Sequence, residues 1–112
     1  MQEPVHTIVV EVTNRRDGKF PSQAPLDRIV MRKELPITPS KGLYIVVQAG
    51  DGSMVDVQCD QVSWVSSIKD DARYERYEVK SMGGRRSVST DYLIAAFRHA
   101  RWFVLIDPSS ES

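Results

Sequence analysis

The chain contains one cysteine, Cys59, and two histidines, His6 and His99, among its 112 residues. A disulfide within the chain is therefore excluded, and these three residues, far apart in sequence, do not form the ligand set of a zinc site. The Gly-x-Ser-x-Gly turn that presents a nucleophilic serine in one class of hydrolases is also missing. We therefore expect no metal, no cofactor and no catalytic residue. A small enzyme whose site assembles at a subunit boundary is the least favoured interpretation.

Long hydrophobic runs are missing as well. No apolar run approaches the roughly 20 residues that cross a bilayer, and residues 1–12 lack the basic start and the cleavage site of a signal peptide. We expect a cytoplasmic protein with no membrane partner, and an intracellular phage or prophage protein would have the same features. An excess of either charge is absent too, because 15 Lys and Arg balance 15 Asp and Glu. Any nucleic-acid binding must therefore come from local basic segments.

The clearest structural signal in the sequence is a β-hairpin over residues 43–59. The run 43–47 is aliphatic, β-branched or aromatic, Asp51-Gly52 supplies a tight turn, and the residues after the turn alternate between apolar and polar up to Cys59. Both faces of the first strand are mostly apolar. This pattern predicts a central strand that is covered on both sides.

Further strands are predicted on both sides of this hairpin. Alternation predicts strands over 5–13, with Ile8, Val10 and Val12 facing the core, and over 26–35. After Asp60 the alternation shifts phase, which indicates either a bulge or a bend into a second strand.

The segment that follows is ambiguous. Ser66, Ser67, Asp70 and Asp71 are typical of a turn. The segment 73–81 fits a strand better than a helix, with Gly83-Gly84 then turning into another strand at 85–89.

One helix is predicted from about Thr90 to Arg101. Ser89 or Thr90 can cap its first turn, and Leu93, Phe97 and Ala100 form one apolar stripe. The apolar run 102–106 then predicts a buried strand.

These elements predict an α+β domain of mainly antiparallel β-structure. We expect a bent sheet or partly open barrel of about six strands, with one C-terminal helix followed by a final strand. Residues 1–108 are expected to form a single compact domain with a mobile basic loop at about 14–26. Residues 109–112 are expected to form a disordered tail.

The charges are unevenly distributed along the chain. Segments 14–41 and 80–101 each carry four more basic than acidic residues, whereas segment 50–79 carries four more acidic than basic ones. Paired arginines in the basic segments suit phosphate or carboxylate groups. Alternatively, the basic side chains are solvated surface that is paired with the acidic segment.

We favour a non-catalytic protein-interaction module that binds a protein partner or itself, so that a homodimer is plausible. Its expected surface combines arginines with amphipathic rings: Arg85, Arg86, Tyr92, Arg98 and His99. An unpaired strand edge offers a second route to a partner.

The alternative hypothesis is a nucleic-acid-binding domain of barrel type. It would use the two basic segments and a surface aromatic residue, Trp64 or Tyr74. Its candidate contacts are Arg15, Arg16, Lys19, Arg85 and Arg86.

Overall fold

The computed structural model describes residues 4–19, 21, 23–83 and 88–108. Within these ranges the chain forms seven strands and one helix. In order they are β1 (His6–Arg15), β2 (Leu26–Leu35), β3 (Tyr44–Gln48), β4 (Met54–Gln58), β5 (Gln61–Lys69), β6 (Ala72–Ser81), α1 (Thr90–His99) and β7 (Phe103–Ile106). No helix in these ranges is long and apolar enough to cross a membrane. The predicted tail, 109–112, lies outside the described residues.

The strands form a five-stranded sheet and a separate two-stranded sheet. The large sheet has the order β5-β6-β1-β2-β7, and β3 pairs with β4. All neighbours are antiparallel except β1 and β6, which run parallel over Ile8–Val12 and Tyr77–Ser81. The predicted α+β class and the helix followed by a final strand are confirmed. The sheet pairing is mainly antiparallel, as predicted, with the single parallel pair making the large sheet mixed, and the sheet does not close into a barrel.

The hydrophobic core lies on one face of the large sheet. This inner face carries Ile8, Val10 and Val12 of the central strand β1, all fully buried. Helix α1 and the β3–β4 hairpin contribute to the same core cluster: Ile45, Val47, Val55, Val57, Leu93 and Phe97. The Phe97 and Trp102 rings meet edge to face with centroids 5.3 Å apart. Burial of these apolar side chains is the main force that holds the helix and hairpin on the sheet.

The β3–β4 hairpin confirms the predicted strands and turn but not the predicted burial. The tip has Gly52 at a φ of 90°, and the Ser53 N–H donates to the Asp51 carboxylate at 2.9 Å. However, β3 is not a central strand, because within the described ranges it pairs only with β4 and only one of its faces lies on the core. Val46 on the other face is 50% exposed. The sequence prediction that both faces are covered is wrong.

The final strand is also more exposed than predicted. Trp102 is buried but precedes the strand, and β7 is an edge strand in which Phe103 is 60% exposed. The run 102–106 is apolar on both faces, yet Val104 and Ile106 on one face are only half-buried, and Phe103 and Leu105 on the other face are exposed because no element covers them among the described residues. The prediction of a fully buried strand is therefore wrong.

The change of phase after Asp60 is a bend into a new strand, since β4 and β5 belong to different sheets. Ser66 and Ser67 lie within β5 and not in a turn. The turn is confined to Asp70-Asp71, whose φ angles of 52° and 63° are those of a tight β5–β6 hairpin turn.

The strand predicted over 73–81 is confirmed by β6. Of the further strand predicted at 85–89, Val88 and Ser89 are not in a strand. Residues 85–87 lie outside the described residues.

Helix α1 begins and ends at identifiable signals. The Tyr92 N–H donates to the Ser89 hydroxyl at 3.2 Å, which confirms Ser89 as the N-cap. The helix ends two residues earlier than predicted, because Arg101 adopts a left-handed φ of 69°. The Lys33 ammonium donates to the Ala100 carbonyl at 2.5 Å, where a cation is favoured by the helix dipole.

A polar network joins the start of α1 to the β1–β2 hairpin. The Arg16 guanidinium donates to the Asp27 carboxylate at 3.0 Å, and the Asn14 amide donates to the Thr90 hydroxyl at 3.2 Å. Asp27 is only 4% exposed. Burial by itself would raise the pKa of Asp27, but the hydrogen bonds from Arg16 and Thr90 and the Arg16 charge outweigh it and lower that pKa.

The basic loop between β1 and β2 is shorter than the predicted 14–26. Asn14 and Arg15 belong to β1 and Leu26 belongs to β2. Gly18 is buried with a φ of 71°, and a Cβ at this position would lie 2.3 Å from the Val88 carbonyl carbon. Only glycine therefore fits where the loop approaches the segment before α1. The mobility of the loop stays a prediction.

We predict that Phe97→Ala lowers the free energy of unfolding by about 3–5 kcal/mol, because it leaves a cavity in the core. Phe103→Ala is the matched control, since its ring is mostly exposed, and a loss of about 1 kcal/mol or less is expected. Urea unfolding followed by circular dichroism measures both. Equal losses for the two variants would contradict the assignment of Phe97 to the core.

We predict that Asp27→Asn costs about 1.5–3 kcal/mol of unfolding free energy at pH 7, the range for hydrogen bonds to a charged group. A lowered pKa in the folded chain gives stability that is present above the ordinary aspartate pKa of about 3.9 and lost at lower pH. The difference between wild type and variant should therefore shrink as the pH falls below about 4.

The matched control for this prediction is Asp71→Asn in the exposed β5–β6 turn, which should change stability by about 0.5 kcal/mol or less. Urea unfolding across a pH series makes the comparison. A difference for Asp27→Asn that stays constant from neutral to acidic pH would contradict the role of the ionised carboxylate.

Candidate interaction surface

The β5–β6 hairpin extends beyond the sheet to which it belongs. β5 and β6 pair along their whole length, but β6 pairs with β1 only over Tyr77–Ser81. The outer part of the hairpin, residues 65–76, which we call the arm, therefore has no neighbouring strand within the described part of the chain. Nearly all its side chains are exposed, and Ile68 near its tip is 70% exposed.

An aromatic cluster holds the base of the arm against β1. The Trp64 and Tyr77 ring centroids are 4.7 Å apart, and the His6 ring lies edge-on to Tyr77 at 5.5 Å. The cluster forms because Trp64 and Tyr77 are directly opposite each other on β5 and β6, and β1 lies next to β6. Trp64 remains 49% exposed, so the cluster presents part of an indole ring to solvent.

The outer edge of β5 lacks the usual protection of an edge strand. β5 has nine residues, QVSWVSSIK, with a single charge at Lys69 and no proline or glycine. Lysines, prolines, bulges or a very short strand normally prevent such edges from pairing with another chain. The opposite edge of the sheet, β7, has four residues and is followed by Pro108. Among the described residues no strand pairs with the outer edge of β5.

A groove crosses the outer face of the large sheet, from the arm to β7. Tyr74 on β6 and Phe103 on β7 stand at its two sides, and the Arg32 guanidinium lies 5.5 Å from the centre of the Phe103 ring. The groove has a volume of about 1090 Å³, and it is open to solvent along the sheet.

The charges that line the groove are predominantly basic. Three cations have partners within the chain: Arg73 pairs with Glu75, Arg76 pairs with Glu78, and Lys33 bonds the Ala100 carbonyl. In the described ranges Lys69 and Arg101 take part in no ion pair. The groove therefore combines two half-exposed aromatic rings with unpaired cations.

Of the five residues of the predicted partner surface, two bond within the chain, one is exposed and two lie outside the described residues. The Tyr92 hydroxyl donates to the Asp51 carboxylate at 2.8 Å, and the Arg98 guanidinium donates to Asp107 at 2.7 Å. His99 is exposed at the end of α1, next to Gly50. Tyr92 and Arg98 thus hold the hairpin tip and the end of β7 to the helix. Arg85 and Arg86 lie outside the described residues.

The basic residues of the alternative hypothesis lie apart from the end of the helix. The Thr90 N–H donates to the Arg16 carbonyl at 3.1 Å, which places Arg16 at the start of α1. Arg98 lies in the last turn. Lys19 is exposed in the loop after β1, and Arg15 ends β1. Of the suggested aromatic residues, Trp64 belongs to the cluster at the base of the arm and Tyr74 lines the groove.

In the described part of the chain, Cys59 is not placed as a nucleophile and no metal-binding cluster forms. Cys59 is fully buried, and burial followed by the nearby Asp60 charge raises the pKa of its thiol. A buried thiol with a raised pKa is a poor nucleophile. Among the described residues no group of three or more His, Cys, Asp or Glu side chains could hold a metal ion.

Sequence reasoning identified Trp64, Tyr74 and the possibility of an open strand edge, but it did not identify the arm or the groove. Lys69 is more than 30 residues away from Arg101 and Phe103 in the sequence, and they line one groove only because the sheet places the β5–β6 hairpin and β7 on either side of β1 and β2. The one local signal was the composition of residues 61–69, with high β-propensity and almost no charge.

No protein-family model, curated protein or solved structure matches this chain.

Proposed function

We propose that this protein is a non-catalytic protein-interaction module that binds its partner by adding a β-strand to the outer edge of β5. The observation that supports the proposal is the exposed nine-residue edge strand, whose single charge is at its last residue and which contains no proline. In such complexes the main-chain hydrogen bonds supply affinity, and alternate side chains supply specificity. Trp64 and Ile68 on one face of β5 and Val65 on the other are the side chains available for this purpose.

The class of function is the one expected from the sequence, but the proposed binding surface is the β5 edge and not the surface near 83–101. Tyr92 and Arg98, two residues of the surface near 83–101, already bond within the chain. A partner that used them would compete with these contacts for part of their hydrogen-bonding capacity. The edge of β5 offers unpaired N–H and C=O groups that a partner satisfies without such a cost.

A second candidate function, binding of single-stranded nucleic acid, is favoured by the groove. Lys69 and Arg101 are unpaired cations in a groove that Tyr74 and Phe103 border. Basic grooves with aromatic platforms are the usual means of binding single strands without strong sequence preference. Zero net charge is unfavourable for this function, and it therefore stands second.

We predict that Ser63→Lys/Ser67→Lys lowers the affinity for the partner about tenfold or more, because it places two charges on the β5 edge. The matched control is Thr38→Lys/Ser40→Lys, which adds the same charge at exposed positions before β3. Affinity capture with wild type and both variants as baits, together with light scattering for self-association, measures the effect. A bound protein that is retained equally by all three baits would contradict the assignment of the surface.

If the second candidate is correct, a labelled single-stranded oligonucleotide binds at low salt and dissociates as the salt concentration rises. Tyr74→Ala and Phe103→Ala should each cost about 1–3 kcal/mol of binding through lost base stacking. Tyr44→Ala, on the separate β3–β4 sheet, is the control and should have no effect. Fluorescence anisotropy measures all four proteins, and no binding at the lowest salt would exclude this function.

A further inference from the structure

We propose that the partner strand at the edge of β5 is β5 of a second copy of this chain, paired antiparallel across a two-fold axis at Val65. The inference rests on the proposed function, since it names the partner for the same edge. Pairing in this way would join two five-stranded sheets into one continuous sheet. A two-fold arrangement is the commonest symmetry of homodimers and requires a surface that is complementary to itself.

The sequence of β5 is complementary to itself when Val65 faces its own copy. On the outer face Val65 meets Val65 of the second copy and Ser63 meets Ser67. On the inner face Val62 meets Ile68 and Trp64 meets Ser66. Apolar side chains thus oppose apolar ones at three levels of the ladder, once at Val65 and twice where Val62 meets Ile68, which is the arrangement that stabilises a sheet.

In this register the only charge of β5, Lys69, does not face a like charge of the second copy. Lys69 meets the uncharged Gln61 of the other copy, so that the two lysines stand at opposite ends of the shared ladder. Like charges opposite each other would destabilise the pair, and none occur. An acidic partner strand would find one opposite charge on β5, Lys69, and a basic strand would find none. This favours a second copy over a charged peptide.

Other registers are less favourable. A shift by one residue turns the side chains of the two copies to opposite faces. The nearest registers that keep the faces matched pair only residues 61–67 or 63–69. The register centred on Val65 is the one in which every residue of β5 has a partner. The exposed Ile68, which contributes nothing to the core of a single chain, then packs against Val62 of the second copy.

The chain offers a direct test, because its one cysteine is fully buried and provides an unreactive background. Val65→Cys places a thiol at the two-fold axis, opposite its own copy, and oxidation with copper–phenanthroline should give a disulfide-linked dimer. Ser63→Cys and Ser67→Cys are the controls. In each of these variants the two copies of the thiol are four residues apart along the ladder, about 13 Å, which is too far for a disulfide.

The Val65→Cys protein should form the disulfide-linked dimer at least about tenfold faster than either control protein alone. A mixture of the Ser63→Cys and Ser67→Cys proteins should also give a dimer, because these positions face each other. In analytical ultracentrifugation the wild type should have twice the chain mass of 12.7 kDa. The Ser63→Lys/Ser67→Lys protein should have the mass of a monomer. Circular dichroism confirms that each variant is folded.

Three outcomes would overturn the inference in distinguishable ways. If Ser66→Cys or Trp64→Cys cross-links faster than Val65→Cys, the two-fold axis lies at that residue and the register centred on Val65 is rejected. A monomeric wild type that captures another protein, and loses it on Ser63→Lys/Ser67→Lys, would reject the second copy while the proposed function stands. A monomer that shows neither cross-linking nor capture dependent on the β5 edge would reject both.

Discussion

The burial of the inner face of β1 is the interaction on which the rest of the structure depends. Ile8, Val10 and Val12 are fully buried at the centre of the five-stranded sheet. β2 and β6 pair with the two edges of β1, and helix α1 and the β3–β4 hairpin contribute to the core on the same face. Because one layer of helix and hairpin is enough to bury this apolar stripe, the other face of the sheet remains open to solvent.

Because α1 must cover the inner face of β1, polar contacts at the two ends of the helix fix its position on the sheet. The orientation of α1 on the sheet is set at its start by Ser89, Thr90 and the Asp27 network, and at its end by Arg98 with Asp107 and by Lys33 with Ala100. Each contact satisfies a helix end or a buried carboxylate, which would otherwise be costly. Arg98, which the sequence suggested as a partner-binding residue, makes one of these contacts.

The exposed arm is the feature that internal packing does not explain. An isolated two-stranded hairpin gains little stability in water, yet the arm extends past β1 with Ile68 exposed near its tip. The aromatic cluster of His6, Trp64 and Tyr77 fixes only its base. A strand partner along β5 would cover these groups and extend the sheet. The groove on the outer face is a separate surface, with its own chemistry and its own test.

The sequence by itself determined the local elements. Alternation located β1, β2 and β6, the Asp51-Gly52 turn located the hairpin, and Ser89 located the start of the helix, because period and turn chemistry are properties of neighbouring residues. Only the tertiary structure decided which strands are edges. The apolar runs in β3 and β7 predicted full burial, but an apolar residue is buried only where another element covers it. Likewise, the parallel pairing of β1 with β6, the protrusion of the arm and the groove that Lys69 and Arg101 both line depend on contacts between distant segments, which no local pattern contains.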